Sequence, residues 1–261
     1  MKYLAILKYS IQNEISYKTN YWGSMIAIII KIIATYFLWT AVFSTNSKMG
    51  KYNLTQMLDY AFISLILSQL NQFSSGRTFS LMIARGEIAV ELIRPYNLIS
   101  KLLFYDLGKK IVDLFKYAFP SLCVCLFFMG LLTSFELQNL PFFIFSASLG
   151  MITIQVIDIL MAYLAFFSTN TWGLWILRNS VVSLFSGAIL PLDLFPTLFI
   201  KITNFLPFRT SIYDPINILF SSSRSFIFNI LFKQILWLFF LIPLVYTIYN
   251  LAVKKVQVLG G

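Results

Sequence analysis

The sequence predicts an all-α integral membrane protein, with an N-terminal interfacial helix and six transmembrane helices in a single domain, residues 1–261. Of its 261 residues, 59% are hydrophobic and only 11% are charged, whereas a soluble domain carries about 25% charged residues. The mean hydropathy of +0.79 points the same way. Apolar runs of about 20 residues, the length that crosses a bilayer, alternate with short polar segments. These observations favour a polytopic membrane protein over a soluble one.

Charge and residue usage narrow the possible functions. The net charge is +10, and the chain has no histidine. In a membrane protein, such a charge is typical of loops that face the cytoplasm and contact anionic lipid headgroups. We therefore expect membrane lipid, and no nucleic acid, as a partner. The lack of histidine excludes histidine-based acid–base catalysis and histidine-ligated metal sites, and we expect no metal site.

The first segment, residues 1–20, is predicted to be a helix that lies along the membrane surface. Its apolar side chains recur at helical spacing, and polar side chains fill most other positions. The apolar positions are Tyr3, Leu4, Leu7, Ile11 and Ile15. Tyr21 and Trp22 follow as an aromatic anchor at the level of the headgroups. Because the segment lacks the uninterrupted apolar core of a signal peptide, we expect it to remain in the mature protein.

Residues 22–73 are predicted to hold the first two spans. Span 1 covers about Trp22–Phe43 and contains Lys31 away from its ends, and span 2 covers about Met57–Phe73. A polar loop separates the two spans. The end of span 2 is rich in serine, asparagine and glutamine, so we expect one of its faces to pack on protein rather than on lipid.

Residues 77–110 interrupt the apolar sequence with a mixture of basic, acidic and apolar residues. This segment cannot cross the membrane, because each charge at the centre of a bilayer costs a few kcal/mol. Its composition predicts an amphipathic helix at the membrane surface. We expect that helix to end at Pro95, since the residue before a proline disfavours the helical conformation.

Residues 111–253 are predicted to contain the remaining spans. Their approximate bounds are Ile111–Leu132 for span 3, Phe142–Phe167 for span 4, Leu174–Leu190 for span 5 and Asn229–Val253 for span 6. Pro120 predicts a kink in span 3. Small residues in span 4, Gly150 among them, favour close helix packing.

Prolines break the apolar sequence between spans 5 and 6. This stretch, about Asp193–Asp214, is too interrupted for a normal span, and we expect a pair of short helices that re-enter the outer leaflet. Such backbone is tolerated at that depth only where protein or water satisfies its polar groups. The residues expected to shape this outer re-entrant segment are Gly187, Pro191, Asp193, Pro196, Pro207 and Pro215.

The distribution of lysine and arginine predicts the orientation. Six spans place both termini on the same side of the membrane. With that side inside, the cytoplasmic segments hold about twice as many basic residues as the outer ones, with Arg178 counted as cytoplasmic. We therefore expect both termini and residues 77–110 to be cytoplasmic.

Ionisable residues inside predicted spans are candidates for a functional site. Lys31 in span 1 and Asp158 in span 4 have similar predicted depths, and Gln155 lies one helical turn from Asp158. Three interpretations stay open. Lys31 and Asp158 form a structural ion pair, they line a substrate path, or Lys31 stays unpaired and extends its amine to the interface. We expect the two to interact.

Motifs for nucleotide chemistry are absent from the sequence. The phosphate-loop pattern Gly-x-x-x-x-Gly-Lys-Ser/Thr fails, because Gly50 and Lys51 have Thr45 where the first glycine belongs. The sequence also lacks a serine nucleophile elbow, a cluster of metal ligands and a plausible pair of carboxylates. We therefore expect no enzymatic activity and no bound cofactor in this chain.

Three stretches carry a resemblance to a known family. Ala84–Pro95 reads ARGEIAVELIRP, Ser186–Pro196 reads SGAILPLDLFP and continues in Leu206–Pro215, and Val258–Gly261 reads VLGG. In this order, together with an interfacial helix and six spans, they resemble the permease subunit of an ABC-2 type ATP-binding-cassette transporter, in a branch of exporters. The resemblance covers the whole chain.

The resemblance implies a mechanism and partners. A second permease copy, identical or related, would complete the substrate path, and a separate ATPase subunit with bound ATP and Mg would drive it. The substrate would be a drug, an antibiotic, a peptide or a lipid-like molecule, and the membrane would be the bacterial plasma membrane. The coupling helix that docks on the ATPase would present Arg85, Gly86, Glu87, Ile88, Glu91 and Arg94. Because Glu87 and Glu91 are four residues apart, we expect them to share one helix face.

Two other classes of function remain as alternatives. A secondary transporter or channel that needs no ATP predicts inverted repeats and paired broken helices, and the two halves of the sequence show no clear repeat. A membrane enzyme that acts on lipid is disfavoured by the lack of histidine and of clustered acidic residues.

Overall fold

The computed structural model describes residues 2–45, 48–72, 75–87, 90–91, 94, 96–129, 135–164 and 171–253. Within these ranges the chain is helical and forms no strand, which confirms the all-α class. The α-helices are, in chain order, α1 (Lys2–Ser16), α2 (Lys18–Thr45), α3 (Leu54–Leu70), α4 (Ser75–Ala84), α5 (Leu98–Asp113), α6 (Phe119–Met129), α7 (Leu140–Tyr163), α8 (Thr171–Phe185), α9 (Thr197–Asn204), α10 (Tyr213–Leu219) and α11 (Arg224–Val253).

Among the residues that the structure describes, three helical segments are long and apolar enough to cross a membrane. They are Lys18–Thr45, Leu137–Tyr163 and Arg224–Tyr249. Helix α3 is also apolar but has only 17 residues. These segments support a membrane protein, while the number of six spans stays a prediction.

Helix α1 packs along α5 at close range. The Ser10 hydroxyl donates a hydrogen bond to the carbonyl oxygen of Tyr105 at 2.6 Å. Gly108 lies at the closest approach, where a Cβ atom would stand 2.5 Å from the carbonyl oxygen of Leu7. Tyr17, which separates α1 from α2, lies outside both helices. The predicted N-terminal helix is therefore a distinct element that is held against α5.

Helix α3 is fixed at both ends by polar contacts. A capping box opens it, in which Asn53 Oδ1 accepts from Gln56 N at 2.8 Å and Gln56 Oε1 accepts from Asn53 N at 3.2 Å. Such a box satisfies backbone groups that the helix itself leaves free. Just beyond α3, Asn71 Nδ2 donates to the carbonyl oxygen of Ser211 at 3.1 Å. The polar end of span 2 therefore packs on protein, as predicted.

Helix α5 runs into α6 through a π-helical turn. This turn, Leu114–Ala118, ends directly before α6, in which Pro120 is the second residue. Interruptions of this kind bend a helix, and the position matches the kink predicted for span 3. Because α5 begins at Leu98, residues 98–110 belong to the same helix as the start of span 3. Only the first part of the predicted surface segment is separate from that span.

The described residues form four clusters of buried apolar side chains, the smallest of which joins α10 to α11. The largest surrounds Ile154, Ala162 and Tyr163 of α7 and includes residues of α4, α5, α8 and α11. A second cluster joins α2, α3 and α6. A third joins α3 and α7 to α10. Helices α3 and α7 are therefore the central elements of the fold.

The chain between α8 and α11 is broken into short helices, as the prolines predict. Pro191 precedes a 3₁₀ turn at Leu192–Leu194, and Pro196 precedes α9. Pro207 then opens a second 3₁₀ turn, and Pro215 lies in the first turn of α10. Proline suits these positions because the first residues of a helix have no partner for a backbone N–H.

Helix α7 meets this broken segment at Gly150. A Cβ atom there would overlap the carbonyl oxygen of Thr210 and stand 2.8 Å from Ser211 Cα. The close packing predicted for the small residues of span 4 is therefore present. The partner at Gly150 is the 3₁₀ turn Pro207–Ser211.

Candidate functional site

A buried ion pair joins α7 to α8. Asp158 is 1% exposed and Arg178 is 7% exposed. Asp158 accepts hydrogen bonds from Arg178 Nε at 2.5 Å and from Arg178 Nη2 at 2.8 Å. The same guanidinium donates to Asn179 Oδ1 at 3.0 Å and, with a longer bond of 3.4 Å, to the carbonyl oxygen of Asn71. One side chain thereby ties together the end of α3, α7 and α8.

The predicted interaction between Lys31 and Asp158 is wrong. Lys31 is exposed on α2, whereas Ile28 and Ile32 of the same helix are buried. Hydropathy indicates the depth of each residue in a span but not the rotation of its helix. The partner of Asp158 is Arg178. The position of Arg178 inside an apolar run is the sequence signal for this pairing, and the expectation of a cytoplasmic charge overlooks it.

Gln155 lies on the same helix as Asp158, about one turn away from it. It is 7% exposed and precedes Asp158 by three residues on α7, a spacing that places both on one side of the helix. Two of the three residues predicted as intramembrane polar groups are therefore buried together, and Lys31 is not among them.

A polar cavity of about 490 Å³ opens beside the ion pair, between α3 and α8. Trp175 and Arg178 line it together with hydroxyl and amide side chains. These polar side chains include Ser68, Asn71, Gln72, Asn179, Ser180 and Ser183. Arg77 adds an exposed guanidinium, and none of the described residues that line the cavity is acidic. The cavity can therefore offer hydrogen bonds to a neutral or negatively charged polar group.

Asp193, one of the predicted outer re-entrant residues, lies at the centre of a second polar cluster. Asp193 lies 2.6 Å from Lys51 Nζ and accepts hydrogen bonds from the hydroxyls of Tyr52, at 2.9 Å, and Tyr213. Gly187 adopts a φ of +83°, which favours glycine. This cluster fastens the loop before α3 to the segment after α8.

The predicted coupling segment contains a turn rather than one continuous helix. Helix α4 ends at Ala84, and Arg85, Gly86 and Glu87 form the turn. Gly86 has a φ of +73° with open space around it. Glycine is therefore suited to this position by the backbone conformation, and not by close packing against another described segment of the chain. Ile88 and Pro95 lie outside the described residues.

Arg85 and Glu87 are exposed at this turn, whereas Glu91 is not. The Arg85 and Glu87 side chains are 66% and 58% exposed and stand 4.0 Å apart. The side chain of Glu91 is 11% exposed. The expectation that Glu87 and Glu91 share one helix face is therefore wrong, because Glu87 lies in the turn after α4 and not in a helix.

Glu91 forms its own network within the chain. Its carboxylate accepts hydrogen bonds from Lys101 Nζ at 2.7 Å and from the Tyr96 hydroxyl at 2.9 Å, and it lies 3.1 Å from Arg94. Burial raises the pKa of Glu91, but these hydrogen bonds and the two positive charges outweigh burial and hold the pKa below its usual value. Glu91 and Arg94 therefore stabilise the loop before α5.

Comparison of the amino-acid sequence with known protein families identifies the family of this chain. Residues 29–260 match the sequence profile of the ABC-2 family transporter proteins. No curated protein matches the chain. The match spans both the polar cavity between α3 and α8 and the broken segment before α11, and it covers far more than half of the 261 residues. The chain therefore belongs to the ABC-2 family of transporter proteins.

Proposed function

We propose that this chain is the permease subunit of an ATP-binding-cassette exporter. In this proposal a second permease copy completes the substrate path, and a separate ATPase subunit, which binds ATP and Mg, drives it. The observation that carries the proposal is the polar cavity of about 490 Å³ between α3 and α8. A membrane-embedded polar cavity is costly to maintain, and such sites mark substrate pathways.

The contacts around the cavity suit a path whose walls can move. Arg178 joins the end of α3, α7 and α8, so a displacement of α8 changes the cavity wall. Trp175 supplies an apolar surface beside the hydroxyl and amide groups. A substrate with both a polar and an apolar part fits such a lining, which agrees with the proposed drugs, antibiotics, peptides and lipid-like molecules.

The exposed turn Arg85–Glu87 is the proposed contact with the ATPase. It presents one positive and one negative side chain, and both are more than half exposed. Opposite charges at the rim of an interface set its orientation. We place this turn and both termini in the cytoplasm of a bacterial cell, because the basic residues of the chain favour that orientation.

Filling the cavity tests the proposed substrate path. We expect Ser183→Trp to abolish export while the complex with the ATPase still assembles, because the indole would occupy the space between α3 and α8. The matched control is Leu184→Trp, since Leu184 is 39% exposed and does not line the cavity. The measurement is the resistance of expressing cells to a panel of antibiotics and peptides, with complex assembly followed by co-purification.

Two results would count against this proposal. Export that survives Ser183→Trp unchanged would place the path elsewhere. Export that continues with an ATPase whose phosphate-loop lysine has been replaced would favour the ATP-independent transporter or channel.

Exchanging the charges of the turn tests the docking surface. We expect Arg85→Glu with Glu87→Lys to leave the protein in the membrane but to lower co-purification of the ATPase at least tenfold, because both charges then meet like charges on the partner. The matched control is Lys48→Glu with Glu136→Lys, which makes the same exchange of charges at exposed positions. We place these two segments on the outer side of the membrane, so this control should not change co-purification of the ATPase. Normal co-purification of the Arg85 and Glu87 variant would show that the coupling contact lies elsewhere.

A further inference from the structure

We propose that the corner between α1, α2 and α5 binds one anionic glycerophospholipid. A cavity of about 670 Å³ opens at this corner, within the range of about 300–1,000 Å³ that is typical of small-molecule sites. Its apolar lining comes from Ile11, Ile15, Ile111, Val112 and Phe115, and Lys18, Tyr21 and Trp22 complete it. We call these residues the lipid corner.

The apolar part of the lipid corner offers an uncovered surface. Val112 is buried at its base, whereas Ile15, Ile111 and Phe115 are 54%, 45% and 64% exposed. A surface of this kind gains stability when a hydrocarbon chain covers it within a defined concavity. The three helices thus provide a site for an acyl chain at the edge of the fold.

Contacts within the chain hold the walls of the lipid corner in place. Helix α1 is fastened to α5 by the Ser10 hydrogen bond and by the close approach at Gly108. Glu14 of α1 adds an ion pair with Lys109 of α5 at 3.4 Å. A preformed site avoids the cost of ordering its walls when a ligand binds.

The charge of the lipid corner selects an anion. Lys18 is exposed and forms no ion pair among the described residues. The only carboxylate of α1 and α2 is Glu14, which Lys109 already engages. Asp113, on α5, lies 3.0 Å from Lys116. A lipid phosphate is therefore the group that can pair with Lys18 at the membrane surface.

The aromatic residues match the depth of a headgroup. The rings of Tyr21 and Trp22 stand 5.8 Å apart in an edge-to-face arrangement, and Trp22 is 61% exposed. Tyrosine and tryptophan concentrate where headgroups meet acyl chains. A second protein copy fits this corner less well, because charged residues, and lysine above all, are depleted from the centre of protein interfaces.

Native mass spectrometry of the full-length chain tests the proposal. The chain is purified in detergent, and phosphatidylglycerol or phosphatidylcholine is added at equal concentrations. We expect one phosphatidylglycerol to be retained in preference to phosphatidylcholine. Lys18→Glu should lower the affinity for phosphatidylglycerol about tenfold, and Lys18→Arg should keep it.

Matched variants separate the site from general effects. Lys48→Glu makes the same change of net charge beyond the far end of α2 and should leave phosphatidylglycerol bound. Ile111→Trp should expel the lipid by filling the cavity, whereas Ile152→Trp, at an exposed position of α7 outside the lipid corner, should not. Equal retention of both lipids, equal losses in Lys18→Glu and Lys48→Glu, or retention in Ile111→Trp would each overturn the proposal.

Discussion

Replacing Arg178 by leucine is expected to destabilise the protein by about 3–5 kcal/mol. The change leaves Asp158 buried without its two hydrogen bonds of 2.5 and 2.8 Å, and an unpaired buried charge is one of the most costly defects in a fold. It also removes the hydrogen bond to Asn179 of the same helix and the hydrogen bond that links α8 to the end of α3. The measurement is the free energy of unfolding in detergent micelles. Arg178→Lys should have an intermediate effect, because an ammonium cannot reproduce the two-pronged contact.

A double-mutant cycle identifies the partner of Asp158. Asp158→Leu combined with Arg178→Leu should be more stable than the sum of the single losses predicts, since apolar side chains of suitable size can replace a buried ion pair. Lys31→Met should change stability by no more than about 0.5 kcal/mol, as expected for an exposed residue. Coupling between Lys31 and Asp158, with additive losses for Arg178 and Asp158, would contradict the observed pairing.

Replacing Gly150 by alanine is expected to cost about 1–3 kcal/mol, and Gly150→Leu more. A Cβ atom at Gly150 would overlap the carbonyl oxygen of Thr210 and approach Ser211 Cα, and backbone atoms cannot move aside as a flexible side chain does. Overpacking of this kind forces neighbouring elements apart. The Thr210 carbonyl oxygen also accepts a hydrogen bond from Gln234 Nε2 at 2.9 Å, so the shift would reach α11. The midpoint of thermal unfolding in detergent measures the loss.

Gly23 provides the matched control for this prediction. It lies within α2, and a Cβ atom there would meet nothing within 4 Å. Gly23→Ala should therefore be neutral or stabilise the protein by up to about 1 kcal/mol, because alanine favours a helix more than glycine does. Equal effects at Gly23 and Gly150 would show that the contact between α7 and Pro207–Ser211 does not limit stability.

The sequence by itself determined the all-α class, the membrane character and the family of this protein. Composition and apolar runs of sufficient length identify segments that can cross a bilayer, and prolines mark where such segments break. The N-terminal helix, which the structure bounds at Lys2–Ser16, and the broken stretch after α8 followed from these local rules. So did the lack of a phosphate loop, which is a property of the residues alone.

Only the tertiary structure decided which side of each helix faces its neighbours. Lys31 and Arg178 both lie in apolar runs, and hydropathy cannot tell that Lys31 faces outward and Arg178 meets Asp158. In a membrane, lipid and protein interior are similarly apolar, so helix rotation depends on small residues and polar contacts between distant segments. The approach at Gly150 and the cavity between α3 and α8 both arise from such contacts, which join residues far apart in the chain.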